Sequence, residues 1–253
     1  MSLSRDPPGV FYPVSDDLGE SGLQLFVRHL LLDLLNDYFA THEREVFVGS
    51  SQFFYDKQGD PRSVVAPEVY VIDGVSLHPT EVTNWKTWEH GVKAPTLALE
   101  IESDEYRKDY ADRIVERYQD LGIRELVRYD PLHVGRKHEL FAHFVRDEQG
   151  RLIRRPTFGD RVQLVSYDLW LVRSAHDVLR LGVGPKGASL WPTAQEKLAE
   201  ARERAVAEAR KRAAANAARA AAEAARAAEA ERDNTAQAEL DRMRAELAAL
   251  RMK

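Results

Sequence analysis

Residues 95–131 read PTLALEIESDEYRKDYADRIVERYQDLGIRELVRYDP, and this stretch decides the fold. Leu97 to Ile101 is a short apolar run of strand length. From Tyr106 to Leu121 the chain is charged, with Ile114, Val115, Tyr118 and Leu121 gathered on one side, the spacing of a helix that Gly122 is placed to end. Glu125 to Tyr129 supplies the next strand. A strand, helix, strand unit of this length predicts parallel strands joined by a right-handed crossover.

Glu100 and Glu102 stand at the end of the first strand, and their i, i+2 spacing turns both to one face. Two readings are open for such a pair. They are oxygen ligands for a divalent cation, since magnesium is held by one or two carboxylates plus waters and substrate phosphates. Or they are the water-facing side of a half-buried strand whose other face is Leu97, Leu99 and Ile101.

Upstream, VVAPEVYVI (64–72) offers another apolar strand with an acid, Glu68, directly after Pro67. Before it, Leu23, Phe26, Val27, Leu30, Leu31, Leu34, Leu35 and Tyr38 recur three and four apart, which predicts an amphipathic helix from Gly22 to Phe39. Glu45 to Tyr55 has the β-branched and aromatic content of a strand, and Lys57-Gln58-Gly59-Asp60 reads as a turn. Downstream, Leu140 to Val145 and Arg151 to Arg155 flank Asp147-Glu148-Gln149-Gly150, a hairpin with a short glycine-containing loop. Val162 to Val172 adds one or two more strands. The core is expected to end near Leu181. His133, His138 and His143 share no ligand spacing with cysteine or acid and read as surface or hairpin residues.

A different object starts at Pro192. Thr193 and Glu196 form a capping-box pattern. From Thr193 to Lys253 there is neither Gly nor Pro, and 24 of the 60 residues after Thr193 are alanine, the best helix former. A continuous helix of this length reaches on the order of 90 Å. Leu240, Met243, Leu247 and Leu250 are spaced three, four, three, an a/d seam that predicts self-association through residues 193–253. The strong part of that seam is short, because extending it backwards reaches Ala236 and Asp233.

With no cysteine, a disulfide framework and a thiolate zinc site are excluded, which agrees with a cytoplasmic setting. No apolar run approaches membrane-spanning length, and MSLSRDPPGVFYPVSDD lacks the basic start and apolar run of a signal peptide, so no membrane association is expected. The formal net charge is -5. Non-specific DNA affinity comes mainly from phosphate neutralisation by Lys and Arg, so any nucleic-acid surface must be local. Candidates are Arg107, Lys108, Arg113 and Arg117 beside the acids, and Arg136-Lys137 with Arg151, Arg154 and Arg155 near the hairpin.

Pro67-Glu68-Val69, WEHG (88–91), the LEIES strand (99–103), KDY (108–110) and YQDLGIREL (118–126) leading to Tyr129-Asp130-Pro131 occur in order. In combination they resemble the putative restriction endonuclease (Uma-type) family, a bacterial branch of the PD-(D/E)xK nuclease superfamily, over roughly residues 40–180. The resemblance implies an α/β fold (an α+β mixed sheet) with a restriction-endonuclease-like core, here followed by a long C-terminal helix or coiled coil. It divides the chain into an N-terminal extension (1–20), the nuclease-like domain (21–181), a linker (182–192) and the alanine-rich helix (193–253).

The resemblance also implies a magnesium site, with manganese as a possible substitute. Glu68 matches the first acid, Glu100 the second, and Ile101 the residue whose backbone carbonyl joins them on the metal, while Glu102 is a further direct or water-mediated ligand. Such a metal lowers the pKa of its bound water and polarises the scissile phosphate, and the implied reaction is magnesium-dependent hydrolysis of DNA. Two positions depart from the pattern. Glu68 stands where aspartate is usual, and Glu102 stands where a lysine is usual. Relatives that carry the lysine on the following helix place it four residues past an aspartate, a position that here holds Arg113. Arginine stays protonated and suits a phosphate clamp better than a water-activating base. Lys108, one residue before Asp109, is the lysine nearest the strand end. The catalytic set implied is therefore Glu100, Lys108 and Arg113. The rival reading is a catalytically reduced relative that serves as a DNA-binding or assembly module through its tail.

Overall fold

The apolar run at 97–101 lies in the middle of a six-stranded sheet. A computed structural model describes residues 22–89, 91–102, 108–133 and 139–251, and the chain divides into two compact units between Thr193 and Ala194. In the first unit the elements run α1 (Gly22–Thr41), β1 (Val46–Gly49), β2 (Phe54–Tyr55), β3 (Val64–Val65), β4 (Val69–Asp73), β5 (Trp85–Lys86), β6 (Leu97–Ile101), α2 (Lys108–Leu121) and β7 (Glu125–Tyr129). They continue through β8 (Phe141–Arg146), β9 (Leu152–Arg155), β10 (Arg161–Leu164), β11 (Leu169–Arg173), β12 (Leu179–Val183) and β13 (Ser189–Leu190). The second unit is one helix, α3 (Ala194–Arg251).

The large sheet has the order β1-β4-β6-β7-β8-β9. Only β6 and β7 pair in parallel within it, with Leu97 opposite Glu125 and Ile101 opposite Tyr129, and α2 forms the connection between them. The strand, helix, strand unit predicted around Glu100 therefore forms, within a mixed α/β architecture that carries a long C-terminal helix. Gly122 ends α2 with φ at 91°, a conformation that strains any residue with a Cβ. The amide of Ile123 then donates back to the Tyr118 carbonyl at 3.3 Å, which ties off the last turn.

Every residue of β6 is buried, and so is every residue of β7. The half-buried strand that alternation suggested is not what forms. Leu97, Leu99 and Ile101 pack with Val27, Leu31, Leu34 and Leu35 of α1 on one face. Ala98 and Leu126 pack with Ile114, Tyr118 and Leu121 of α2 on the other. A strand covered by a helix on each side has no water-facing side, and this follows from the parallel crossover itself.

The buried stripe of α1 is narrower than its apolar residues suggested, being Gln24, Val27, Leu31, Leu34, Leu35 and Phe39, with Leu25 and Phe26 exposed. The segment read as one strand from Glu45 to Tyr55 divides in two. Ser51, at φ 55°, turns the chain while its amide bonds the Pro67 carbonyl, so β1 joins β4 and β2 leaves for a small sheet ordered β3-β2-β5. Residues 161–190 form a second antiparallel sheet, β10-β11-β12-β13. The 182–192 stretch, expected as a linker, thus completes β12 and forms β13, and the Trp191 indole donates to Asp37 of α1 at 2.6 Å.

The acid that opens β7, Glu125, is fully buried and ties the two sheets together. It accepts the amides of Val165 at 2.8 Å and Ser166 at 2.9 Å, and it meets His143 Nε2 at 2.8 Å. His143, read as a surface or hairpin residue, does lie in the β8–β9 hairpin, but it is only 1% exposed because it answers this buried acid from β8.

Candidate metal and phosphodiester site

The C-terminal end of β6 carries Glu100, Ile101 and Glu102, and the N-terminal end of β4 lies beside it in antiparallel pairing, with Val69 opposite Leu99. Continuing that register by one step brings Glu68 opposite Glu100. The two acids named from sequence thus come from adjacent strand ends. Pro67 precedes Glu68 and has no amide to donate, so the ladder stops here and the strand end is left for side chains.

Glu100 is 7% exposed, and its Oε1 accepts the hydroxyl of Tyr118 from α2. Burial pushes its carboxyl up to about 8; the Tyr118 hydrogen bond and the Arg128 guanidinium oppose that rise, while the charges of Glu68 and Glu102 add to it. Glu68 Oε2 is 3.3 Å from Nη1 of Arg28, a cation one turn beyond Gln24 on α1. Arg28 also donates to the Ser51 hydroxyl at 2.9 Å, which fixes it over the kink between β1 and β2.

The carbonyl of Ile101 receives a hydrogen bond of 2.8 Å from the side-chain amide of Gln24, buried at the start of α1. A carbonyl has two lone pairs, so this bond orients the oxygen and leaves it able to accept again. Glu102 is 4% exposed, and its Oε1 is 2.5 Å from Nη2 of Arg128, itself 9% exposed. Arg128 stands opposite Glu100 in the β6–β7 register. One guanidinium therefore pairs with Glu102 and acts through its charge on Glu100.

Arg113 lies on α2 with its side chain exposed, one residue before the buried Ile114. Lys108 is the first residue of α2, and its side chain lies outside the described residues, as do Arg107, Arg136 and Lys137. Arg117 is directed elsewhere, to the carbonyl of Val64 at 3.2 Å. Near the hairpin, Arg151 pairs with Asp147 at 3.2 Å and Arg154 pairs with Glu139.

Glu68, Glu100 and the Ile101 carbonyl are all hard oxygen donors, the chemistry a magnesium or manganese ion takes. Among the described residues no group of three or more His, Cys, Asp or Glu is placed to hold a metal ion. The described residues therefore build no closed cage. Two acids and one carbonyl fit a magnesium ion, which keeps several waters and is bound by one or two carboxylates. The raised carboxyl of Glu100 beside two like charges is a second mark of fit, because a cation relieves that repulsion and releases the proton.

Gln24, Arg28, Tyr118 and Arg128 belong to this end of the sheet although no motif in the sequence marks them. The usable signals were a polar residue on the helix stripe at Gln24 and a charge inside the otherwise apolar LVRY of β7. Both break a pattern at a position where breaking it is costly.

A family model described as "Putative restriction endonuclease" (Uma2) matches residues 20–173. Among solved structures, a putative nuclease belonging to DUF820 from Anabaena variabilis is similar at 12% identity, covering 60% of this chain and 76% of that one, with a TM-score of 0.41. No curated protein matches the chain. Among the described residues no helix is long and apolar enough to cross a membrane.

Proposed function

Because the chain belongs to the putative restriction endonuclease (Uma2) family, matched over more than half its length, we propose that it hydrolyses DNA phosphodiester bonds with one divalent ion at the β4–β6 strand ends. Glu68 and Glu100 hold the ion with the Ile101 carbonyl, magnesium being the expected metal and manganese its substitute. When bound, the ion lowers the pKa of a coordinated water and polarises the phosphate. The observation that carries this reading is the register of β4 on β6, which brings Glu68 opposite Glu100.

The chain's own residues do the rest. Gln24 orients the Ile101 carbonyl. Tyr118 holds the Glu100 carboxyl in a fixed rotamer. Arg28 keeps Glu68 compensated until a stronger cation takes its place. Arg113, exposed on α2, suits a phosphate clamp, since a guanidinium meets phosphate with a two-pronged fork.

The test is supercoiled plasmid with magnesium or manganese, comparing the parent with Glu100→Ala. Nicking by the parent and none by the variant is the expected result. No nicking by the parent with either metal overturns the proposal.

A second reading is favoured by one specific observation: each candidate acid is already engaged by a side chain of the protein, Glu68 by Arg28, Glu100 by Tyr118 and Glu102 by Arg128. In that reading the domain binds DNA without cutting it, and assembly runs through α3. Its mark is DNA binding that is indifferent to magnesium.

A further inference from the structure

Leu198, Leu240, Met243 and Leu247 are large apolar side chains that α3 leaves exposed. Leu240 and Leu247 stand one heptad apart with Met243 between them, and Leu198 stands six heptads before Leu240. A helix wound to the 3.5-residue repeat of a coiled coil sets all four on one seam, with the leucines at a and the methionine at d. Burying that seam needs a second surface with the same repeat.

Between its apolar ends the seam is charged, and the charges restrict what fits. Its a positions hold Arg212, Arg219 and Arg226, and its d positions hold Glu208, Ala215, Ala222 and Glu229. In a parallel, in-register pair each position meets its own copy, so three successive layers set arginine against arginine and two set glutamate against glutamate. A slip of one or two heptads does not help, because Arg212 then meets Arg219 or Arg226. Repulsion of this kind selects against an arrangement as strongly as attraction selects for another.

In an antiparallel pair an a position meets a d position of the other copy. In the two registers that overlap the helices most fully, each of the three arginines then faces Ala215, Ala222, Ala236 or Glu229. Alanine leaves room for a long guanidinium stem to run out to water, and Glu229 supplies opposite charge. One of these registers also sets Leu198 opposite Met243 of the second copy, and its remaining like-charge contact is Asp233 against Glu208.

We propose that α3 is a docking surface for a second copy of this chain and that the two helices pair antiparallel, the arginine stripe selecting that orientation. The pairing is independent of whether the first unit cuts DNA. At the helical rise per residue, the two Ala194 ends then lie on the order of 80 Å apart, whereas a parallel pair holds them side by side. Each first unit, joined at its own Ala194, is tethered to its own end of the pair.

The chain has no cysteine, so single cysteines in the full-length protein carry nitroxide labels for dipolar distance measurement between copies. Ala199→Cys lies near the start of α3 and Ala221→Cys near its middle, both at exposed positions off the seam. An antiparallel pair is expected to give roughly 60 Å between Ala199→Cys labels and under about 30 Å between Ala221→Cys labels. Adding Arg212→Leu, Arg219→Leu and Arg226→Leu together to Ala199→Cys removes the repulsion, and a second population under about 30 Å is expected to appear.

Short distances at both positions mean a parallel pair and overturn the proposal. So does a monomer by sedimentation with no distance between copies at either position. A leucine triple variant that keeps only the long Ala199→Cys distance overturns the role given to the arginines.

Discussion

Gln24 on α1 donates its side-chain amide to the backbone carbonyl of Ile101 on β6, at 2.8 Å and across 77 residues of sequence. The bond joins the first helix to the strand end that carries Glu100 and Glu102, and it is buried. Gln24→Leu leaves that carbonyl without its donor in a dry site, so a loss of about 1–3 kcal/mol in unfolding free energy is expected. Urea denaturation measures it. If the Ile101 carbonyl is a metal ligand, Mn2+ affinity falls as well, whereas Phe26→Leu, on the exposed side of the same helix, changes neither.

Glu100 gives a dependence on pH whose sign is fixed. Its carboxyl is raised to about 8 from an ordinary 4.5, so the folded protein keeps a proton that the unfolded chain releases. Its contribution is fully present below the unfolded value and is lost as pH rises through the folded one. The loss is at most about 1.4 kcal/mol per pH unit across that window. Glu100→Gln mimics the protonated form and still accepts the Tyr118 hydroxyl. Urea denaturation at pH 5 and pH 8 is expected to show the variant gaining on the parent as pH rises; a constant difference would contradict the assignment.

The Glu102–Arg128 pair should behave as a buried ion pair in stability measurements. Replacing either residue alone by leucine leaves an uncompensated buried charge and is expected to cost about 3–5 kcal/mol, while replacing both is expected to be close to neutral. A double-mutant cycle by urea denaturation reads this directly. Additive single effects would mean that the two side chains are not coupled.

On α3, Leu240, Met243 and Leu247 are all exposed within the helix taken by itself, the side chains an a/d seam would bury against a second copy. Sedimentation of the full chain is expected to show an oligomer that Leu240→Glu with Leu247→Glu converts to monomer. Equal monomer masses for both would rule out self-association through this seam.

Much of this was legible in the sequence where a pattern carries one dominant cause. The β6–α2–β7 unit is legible because Leu97 to Ile101, the Ile114–Tyr118–Leu121 stripe and Gly122 each state one local preference and all agree. The acids were legible as positions through the motif order. Their environment was not. Alternation along β6 cannot report that α2 covers the second face, so Glu100 reads as half-solvated although burial dominates its chemistry. Gln24 and Arg28 were hidden because helix stripes are drawn through apolar residues, and Arg128 because a charge in a strand reads by default as an exposed one. All three are tertiary partners of groups far away in sequence, which no local pattern encodes.

Glu68 and Glu100 are proposed to share one divalent ion. Calorimetric titration of Mn2+ into the parent, Glu68→Ala and Glu100→Ala tests it most directly. The parent is expected to bind one ion, and each variant to lose at least about tenfold in affinity. A parent that binds no Mn2+, or variants that bind it as tightly as the parent, would contradict it.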